Sequence, residues 1–165
     1  MVVCTDTSFL FALYGSDVHT PKALAWSRAS TMPVTVSELT EYELGNALRF
    51  AEFRKLLGPG QASTFWAQYE ADRASGRIVR EVCNLARVIA GAKRLSATHT
   101  LAGGHRAFHI LHVAAALELG AAEFLTFDGR QRQLAKAESL IVPVWTPPGT
   151  GKPNHRCPTP RGGHS

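Results

Sequence analysis

Hydrophobic and polar positions over residues 1–146 alternate between short β-like runs and longer stretches with helical periodicity. Short apolar runs rich in β-branched residues are typical of buried strands, whereas apolar residues repeated every three or four positions are typical of helices. Because the two kinds of segment alternate, the pattern predicts an α/β domain whose helices flank a mainly parallel sheet of about four to five strands. Strands are predicted at 2–5, 34–36, 124–127 and 140–144, and helices at about 8–14, 21–30, 38–57, 61–75, 82–96, 105–119 and 129–137.

The composition changes after Trp145, where the chain becomes rich in Pro, Gly and basic residues. Such a segment buries too little apolar surface to offset the entropy lost on ordering. We therefore expect one domain over 1–146 and a disordered tail over 147–165. No stretch approaches the roughly 18 apolar residues of a membrane helix, and the chain opens in a predicted strand rather than a signal peptide. These features predict a cytoplasmic protein without membrane segments.

Charge and cysteine content narrow the function only slightly. The net charge is +5, but three basic residues and no acid follow residue 146, so the predicted domain itself carries +2. A small positive charge is compatible with an anionic partner without identifying one. Cys4, Cys83 and Cys157 are odd in number and lack the close spacing of a zinc site, which favours reduced thiols over a disulfide framework.

Two aspartates directly follow predicted strands. Asp6 comes after the strand at 2–5 and Asp128 after the strand at 124–127, and a predicted helix begins beside each of them. The carboxyl ends of parallel strands meet at one edge of a sheet, where binding sites form in open α/β folds. We therefore expect the two carboxylates to lie close together. Helix N-capping is the alternative role for each aspartate.

Glu43 is the third candidate acid. It shares one face of the predicted helix 38–57 with Leu39 and Phe50, and this apolar face should pack against the sheet. A buried carboxylate has to be neutralised, paired or bound to a cation, although a partly exposed boundary position is the alternative. Three carboxylates without thiolates suit Mg²⁺ or Mn²⁺, which activate water and stabilise charge on a scissile phosphate. The substrate would then be a phosphodiester.

Three segments resemble PIN domains, and VapC-like toxins in particular. They are CTDTSFL at 4–10, ELGNAL at 43–48, and the stretch 111–128, which opens with LHVA and closes with FLTFD. The resemblance implies a Mg²⁺- or Mn²⁺-dependent endoribonuclease in which Asp6, Glu43 and Asp128 bind the metal. It also implies supporting roles for Ser8 and Asn46, an RNA substrate, a small antitoxin partner and a homodimer.

His109 departs from this pattern, because the family places an aspartate three residues before the histidine of LHVA. Its ring nitrogen can still bind a metal or serve in catalysis, but imidazole prefers Zn²⁺, Cu²⁺ or Ni²⁺ to Mg²⁺. His105, His109 and His112 share one helical face, so a dedicated transition-metal site is an alternative. Two functions stay open: an active ribonuclease, and a catalytically weakened PIN-like module that binds RNA or protein.

Basic residues on the predicted helices offer a surface for RNA without a sequence code. Phosphate contacts by such residues supply affinity and positioning rather than specificity. Ordinary solvated charges are the alternative role. The candidate RNA contacts are Arg49, Arg106, Arg130 and Arg132.

Overall fold

The computed structural model describes residues 1–143, and the predicted tail at 147–165 lies outside them. Four strands form one parallel sheet in the order β3-β2-β1-β4. This arrangement confirms the predicted α/β fold. The strands are β1 (Val2–Thr5), β2 (Val34–Ser37), β3 (Ile78–Glu81) and β4 (Ala121–Leu125). The helices of the described residues are α1 (Thr7–Tyr14), α2 (Thr20–Ala29), α3 (Glu38–Phe53), α4 (Gln61–Ala74), α5 (Leu85–Gly103), α6 (Ala107–Glu118) and α7 (Gly129–Ala137).

The predicted strands differ from the observed ones at the sheet's two edges. β3 was not predicted, because it is a four-residue edge strand whose last two residues are exposed and polar. The strand predicted at 140–144 is reduced, within the described residues, to a bridge between Glu123 and Ile141. The strand predicted at 124–127 begins earlier, at Ala121, and ends at Leu125.

The ends of two predicted helices, α3 and α5, differ from the observed ends by more than two residues. α3 stops at Phe53, four residues early, because Lys55 adopts a left-handed backbone (φ 59°) and the Leu56 amide bonds back to the Ala51 carbonyl. α5 starts later and runs further than predicted. Asn84 caps its first turn by accepting from the Arg87 amide, and a left-handed residue 104 ends it.

The sheet separates two hydrophobic cores. Neighbouring residues of β1 point to opposite faces, so Val3 packs with α1–α4 whereas Cys4 packs with α5–α7. Both layers are well filled: Leu44 and Tyr69 are fully buried on the first side, and Val113 on the second. Within residues 1–143, the helices lack the combination of length and apolar character that a bilayer crossing requires.

The central strand β1 ends beside β4, and this junction positions the candidate site. Thr5 pairs with Leu125 in register, and the Thr5 hydroxyl and the Asp6 amide both donate to the Leu125 carbonyl, at 3.0 and 3.2 Å. Helix α1 begins after β1, and α7 begins shortly after β4. The two aspartates predicted to meet therefore stand at adjacent strand ends.

Candidate active site

Asp6 is the N-cap of α1, and its carboxylate is fully buried. Each oxygen accepts two hydrogen bonds. Oδ1 accepts from the Ser8 hydroxyl (2.7 Å) and the Phe9 amide (3.0 Å). Oδ2 accepts from the Thr126 hydroxyl (2.5 Å) and the Gln131 side-chain amide (2.6 Å). Asp6 therefore has the capping role that the sequence offered as an alternative, and it lies at the carboxyl end of β1 as predicted.

Burial raises the pKa of the Asp6 carboxyl above its ordinary value. Hydrogen bonds from Thr126, Ser8 and Phe9, together with the charge of His112, act in the opposite direction. A carboxylate removed from water depends on such donors to remain ionised. The loss of any one of them will therefore shift the pKa of Asp6 further upward.

Glu43 lies on α3 and is bonded to two other helices. Its Oε2 accepts from His112 Nε2 (2.6 Å) and from the hydroxyl of Thr7, and its side chain is 30% exposed. His112 is buried, and its Nδ1 lies 3.1 Å from the Thr40 hydroxyl. Burial raises the pKa of Glu43, but the bonds from His112 and Thr7 and the charges of His112 and His109 bring it below its ordinary value. Glu43 is therefore held as a carboxylate.

Asp128 is the N-cap of α7 and faces His109. Its Oδ1 accepts from the amides of Arg130 (2.9 Å) and Gln131 (2.8 Å), and its Oδ2 lies 3.8 Å from His109 Nε2. The Nδ1 atom of His109 is buried and has no hydrogen-bond partner in the described part of the chain. His109 thus contacts Asp128 and acts electrostatically on Glu43, so it belongs to the same site.

The two supporting residues are placed very differently. The Ser8 hydroxyl donates to Asp6 and accepts from the Phe127 amide (2.9 Å), which ties the start of α1 to the end of β4. Asn46 is exposed on α3, about one turn after Glu43, and makes no side-chain hydrogen bond among residues 1–143. The structure therefore joins Ser8 to the acids but leaves Asn46 at the surface.

Sequence reasoning missed Gln131 and His112 as partners of the acids. Gln131 is 4% exposed, and it shares the buried face of α7 with Leu134 and Ala135. That spacing of three and four residues was the available signal for a buried polar side chain. For His112 the sequence showed only a helical face shared with His105 and His109, whereas in the structure it binds Glu43 across 69 positions of sequence.

A family model for the PIN domain matches residues 3–137. The chain belongs to the PIN domain family. Among solved structures, it is similar to VapC20 of Mycobacterium tuberculosis, a sarcin-ricin loop cleaving toxin, with a TM-score of 0.62 and 18% identity over 84% of this chain and 96% of that one. It is also similar to PAE2754 from Pyrobaculum aerophilum, with a TM-score of 0.52 and 20% identity over 86% of this chain and 83% of that one. No curated protein sequence matches it.

These comparisons confirm the predicted resemblance and the fold. At such low identities the two solved structures show the PIN architecture alone, while the family match covers most of the chain. Membership of the PIN family supports a nuclease, and PIN domains generally use divalent metal ions.

Residues 1–143 contain no group of three His, Cys, Asp or Glu side chains placed to hold a metal ion. Both oxygens of Asp6 are already taken by protein donors, whereas Glu43 Oε1 and Asp128 Oδ2 accept no hydrogen bond from this part of the chain. Mg²⁺ keeps several waters and binds through one or two carboxylates plus substrate phosphate. The carboxylate oxygens that protein donors leave open here are Glu43 Oε1 and Asp128 Oδ2, both of the hard type that such a cation prefers, whereas Asp6 could bind a cation only by giving up a donor.

The four candidate arginines differ in exposure and in the contacts they make. Arg49 and Arg106 are exposed, on α3 and before α6. The Arg130 guanidinium donates to the backbone carbonyl of residue 104 (3.0 Å), while Arg132 has a buried Nε without a partner among the described residues. Arg130 and Arg132 lie closest in sequence to Asp128, at the start of α7.

Proposed function

We propose that this protein is a metal-dependent endoribonuclease of the VapC-like toxin type. The observation that carries the proposal is the linkage of the three acids: Asp6 and Asp128 both accept from Gln131, and Glu43 accepts from Thr7, the residue after Asp6. His112 and Thr7 also hold Glu43 ionised. PIN family membership supports the nuclease activity, and oxygen donors favour Mg²⁺ or Mn²⁺.

In this proposal, some residues of the site bind the cation and others orient and charge its carboxylate ligands. A cation bound at Glu43 and Asp128 would activate water and offset the charge that develops on the scissile phosphate. His112 and Thr7 fix the direction of the Glu43 carboxylate through Oε2 and leave Oε1 available. His109 places an imidazole nitrogen beside Asp128 Oδ2, where it can accept or donate a proton. The catalytic roles of Asp6, Glu43, Asp128 and His109 belong to this proposal.

Four arginines of the domain supply the proposed RNA contacts. Arg130 and Arg132 begin α7 beside Asp128, and Arg49 and Arg106 add exposed positive charge. Such contacts give affinity to the phosphate backbone and leave sequence choice to other groups. The proposal also includes an antitoxin that covers the acidic site, a homodimer and a cytoplasmic location. The antitoxin and the homodimer follow from the VapC-like resemblance, and the location follows from the sequence.

A cleavage assay tests this function. Two structured RNAs serve as substrates: a sarcin-ricin loop hairpin, because VapC20 cleaves that loop, and a tRNA. Cleavage should require Mg²⁺ or Mn²⁺ and stop with EDTA, and Asp6→Asn, Glu43→Gln and Asp128→Asn should each lower the rate by at least about 100-fold, because charged oxygens hold the cation.

Glu38→Gln is the matched control for these substitutions. Glu38 and Glu43 are both acids of α3, but Glu38 is exposed whereas Glu43 is half-buried. Substitution of Glu38 should therefore leave the cleavage rate unchanged. Cleavage that continues in EDTA, or that survives in Asp128→Asn, would refute the metal-dependent function.

A binding module is the second candidate, favoured by two observations. His109 stands where the PIN pattern has an aspartate, and both carboxylate oxygens of Asp6 already accept hydrogen bonds from the protein. RNA binding without metal binding or cleavage, in folded protein, would establish this alternative.

A further inference from the structure

Gln131 contacts two of the proposed catalytic acids at once. Its side-chain Nε2 donates to Asp6 Oδ2 (2.6 Å), and its backbone amide donates to Asp128 Oδ1 (2.8 Å). The side chain is almost completely buried in the first turn of α7. Gln131 therefore ties the end of β1 to the start of α7 through the site itself.

The amide of Gln131 is only half satisfied. Its Oε1 is buried and accepts no hydrogen bond from residues 1–143. A buried polar atom without a partner is unfavourable, and an apolar side chain of similar size would fill this space without that cost. The opposite orientation of the amide would turn Oε1 towards the Asp6 carboxylate, acceptor against acceptor, so the bond to Asp6 fixes the side chain. Packing alone does not account for a glutamine here.

The bond from Gln131 restricts what Asp6 can do. A carboxylate offers about four lone-pair positions, and Asp6 uses all four for Ser8, Phe9, Thr126 and Gln131. A cation approaching Oδ2 must therefore displace a donor. Thr126 is held at the end of β4, where it also accepts from the Asp128 amide (2.9 Å), whereas Gln131 reaches Asp6 through a long side chain with more rotatable bonds.

We propose that Gln131 is a positioning residue that holds the Asp6 carboxylate and competes with the divalent cation for Oδ2, and so sets the metal affinity of the site. This inference rests on the proposed metal-dependent function. On this inference, Gln131 as well as His109 weakens metal binding at the site. Removal of that donor frees Oδ2 as one more hard oxygen that a cation at the site could use.

Calorimetric titration with Mn²⁺, without RNA, measures this competition directly. Gln131→Met keeps the length of the side chain and removes the donor, and it should tighten Mn²⁺ binding on the order of tenfold. Gln133→Met is the matched control, since Gln133 is exposed two residues further along α7, and it should bind as wild type does. In an Asp6→Asn background, Gln131→Met should have no further effect, which separates competition at Asp6 from general loosening.

The outcomes separate this inference from the proposed function. If wild type binds Mn²⁺ and folded Gln131→Met binds no tighter, competition by Gln131 is overturned while the metal-dependent function stands. If neither protein binds Mn²⁺, both fail.

A second measurement applies even where Gln131→Met does not fold. In ¹⁵N-labelled wild type, Mg²⁺ should shift the side-chain amide resonances of Gln131 and leave those of Gln133 in place. Unmoved Gln131 resonances at saturating Mg²⁺ would overturn the inference.

Discussion

Asp6 and Asp128 each cap a helix with a carboxylate that also belongs to the candidate site. Asp128 uses Oδ1 for the α7 cap and leaves Oδ2 facing His109, whereas Asp6 has both oxygens engaged by the protein. An N-cap carboxylate accepts from backbone amides and also lies in the favourable field of the helix N-terminus. Asp128 therefore keeps one carboxylate oxygen open to a ligand, whereas Asp6 keeps none.

The substitution His109→Asp tests the departure of this chain from the PIN pattern, which has an aspartate at that position. An aspartate there would add a hard oxygen near Asp128 Oδ2, so we expect Mg²⁺ binding at least about tenfold tighter and faster RNA cleavage. Without metal, the added negative charge should repel Asp128 and lower the melting temperature. Calorimetry, a cleavage time course and thermal unfolding measure the three effects, with His109→Ala as the comparison.

Slower cleavage by His109→Asp would assign a different role to His109. If His109 is a general base or a ligand for a different metal, His109→Asp will reduce cleavage, and the metal preference will move from Zn²⁺ or Mn²⁺ towards Mg²⁺.

At the scale of elements, the helix α7 is fixed at both ends. Asp128 and Gln131 hold its start at the site, and Glu138, just after its last turn, binds α5. Glu138 accepts from Arg94 Nη2 (2.6 Å) and lies 2.8 Å from His99 Nε2, with its own side chain only 14% exposed. The position of Gln131 therefore depends in part on a contact at the far end of the helix.

Glu138→Gln should loosen this contact in a pH-dependent way. The Arg94 guanidinium, together with His99 and despite burial, holds the pKa of Glu138 below its ordinary value. A carboxyl whose pKa is lowered on folding adds stability that is complete above its unfolded pKa and is lost as the pH falls through its folded pKa. Since Arg94 is half exposed and screened by solvent, the loss at neutral pH should be about 1 kcal/mol or less.

Urea unfolding from neutral pH down into the acid range measures this difference. The gap between wild type and Glu138→Gln should close once the pH lies below the lowered pKa of Glu138. Glu81→Gln, a change at an exposed acid of β3, should leave the free energy of unfolding unchanged at every pH. A gap that persists in acid would show that Glu138 acts through packing rather than charge.

The elements that sequence predicted well are those with a strong local signal. The strand, aspartate and helix order at 2–8 and 124–131 placed two acids at the sheet edge, because parallel strand ends converge there. β3 escaped prediction because edge strands need little apolar alternation. Ser8 was predicted as a partner of the acids, but Gln131 was missed, since its bond to Asp6 spans 125 positions and no local pattern records it.

At the scale of the whole molecule, the described residues already contain the sheet, a core on each face and the candidate site. The assignment of a domain to 1–146 and a tail to 147–165 stays a prediction from composition. Because three basic residues follow residue 146, a chain ending at Thr146 has a net charge of +2 instead of +5.

A chain that ends after Thr146 tests the domain assignment and the use of this charge together. We expect the same cooperative unfolding and the same cleavage rate at saturating RNA, because both cores and the acids remain. RNA affinity should fall at low salt, and the slope of log affinity against log salt should become shallower by at most about 2, since each lost phosphate contact removes roughly 0.7 for a single strand. Fluorescence anisotropy over a range of salt concentrations measures that slope. Loss of cooperative unfolding would place the domain boundary after 146, whereas an unchanged slope would restrict RNA binding to residues 1–146.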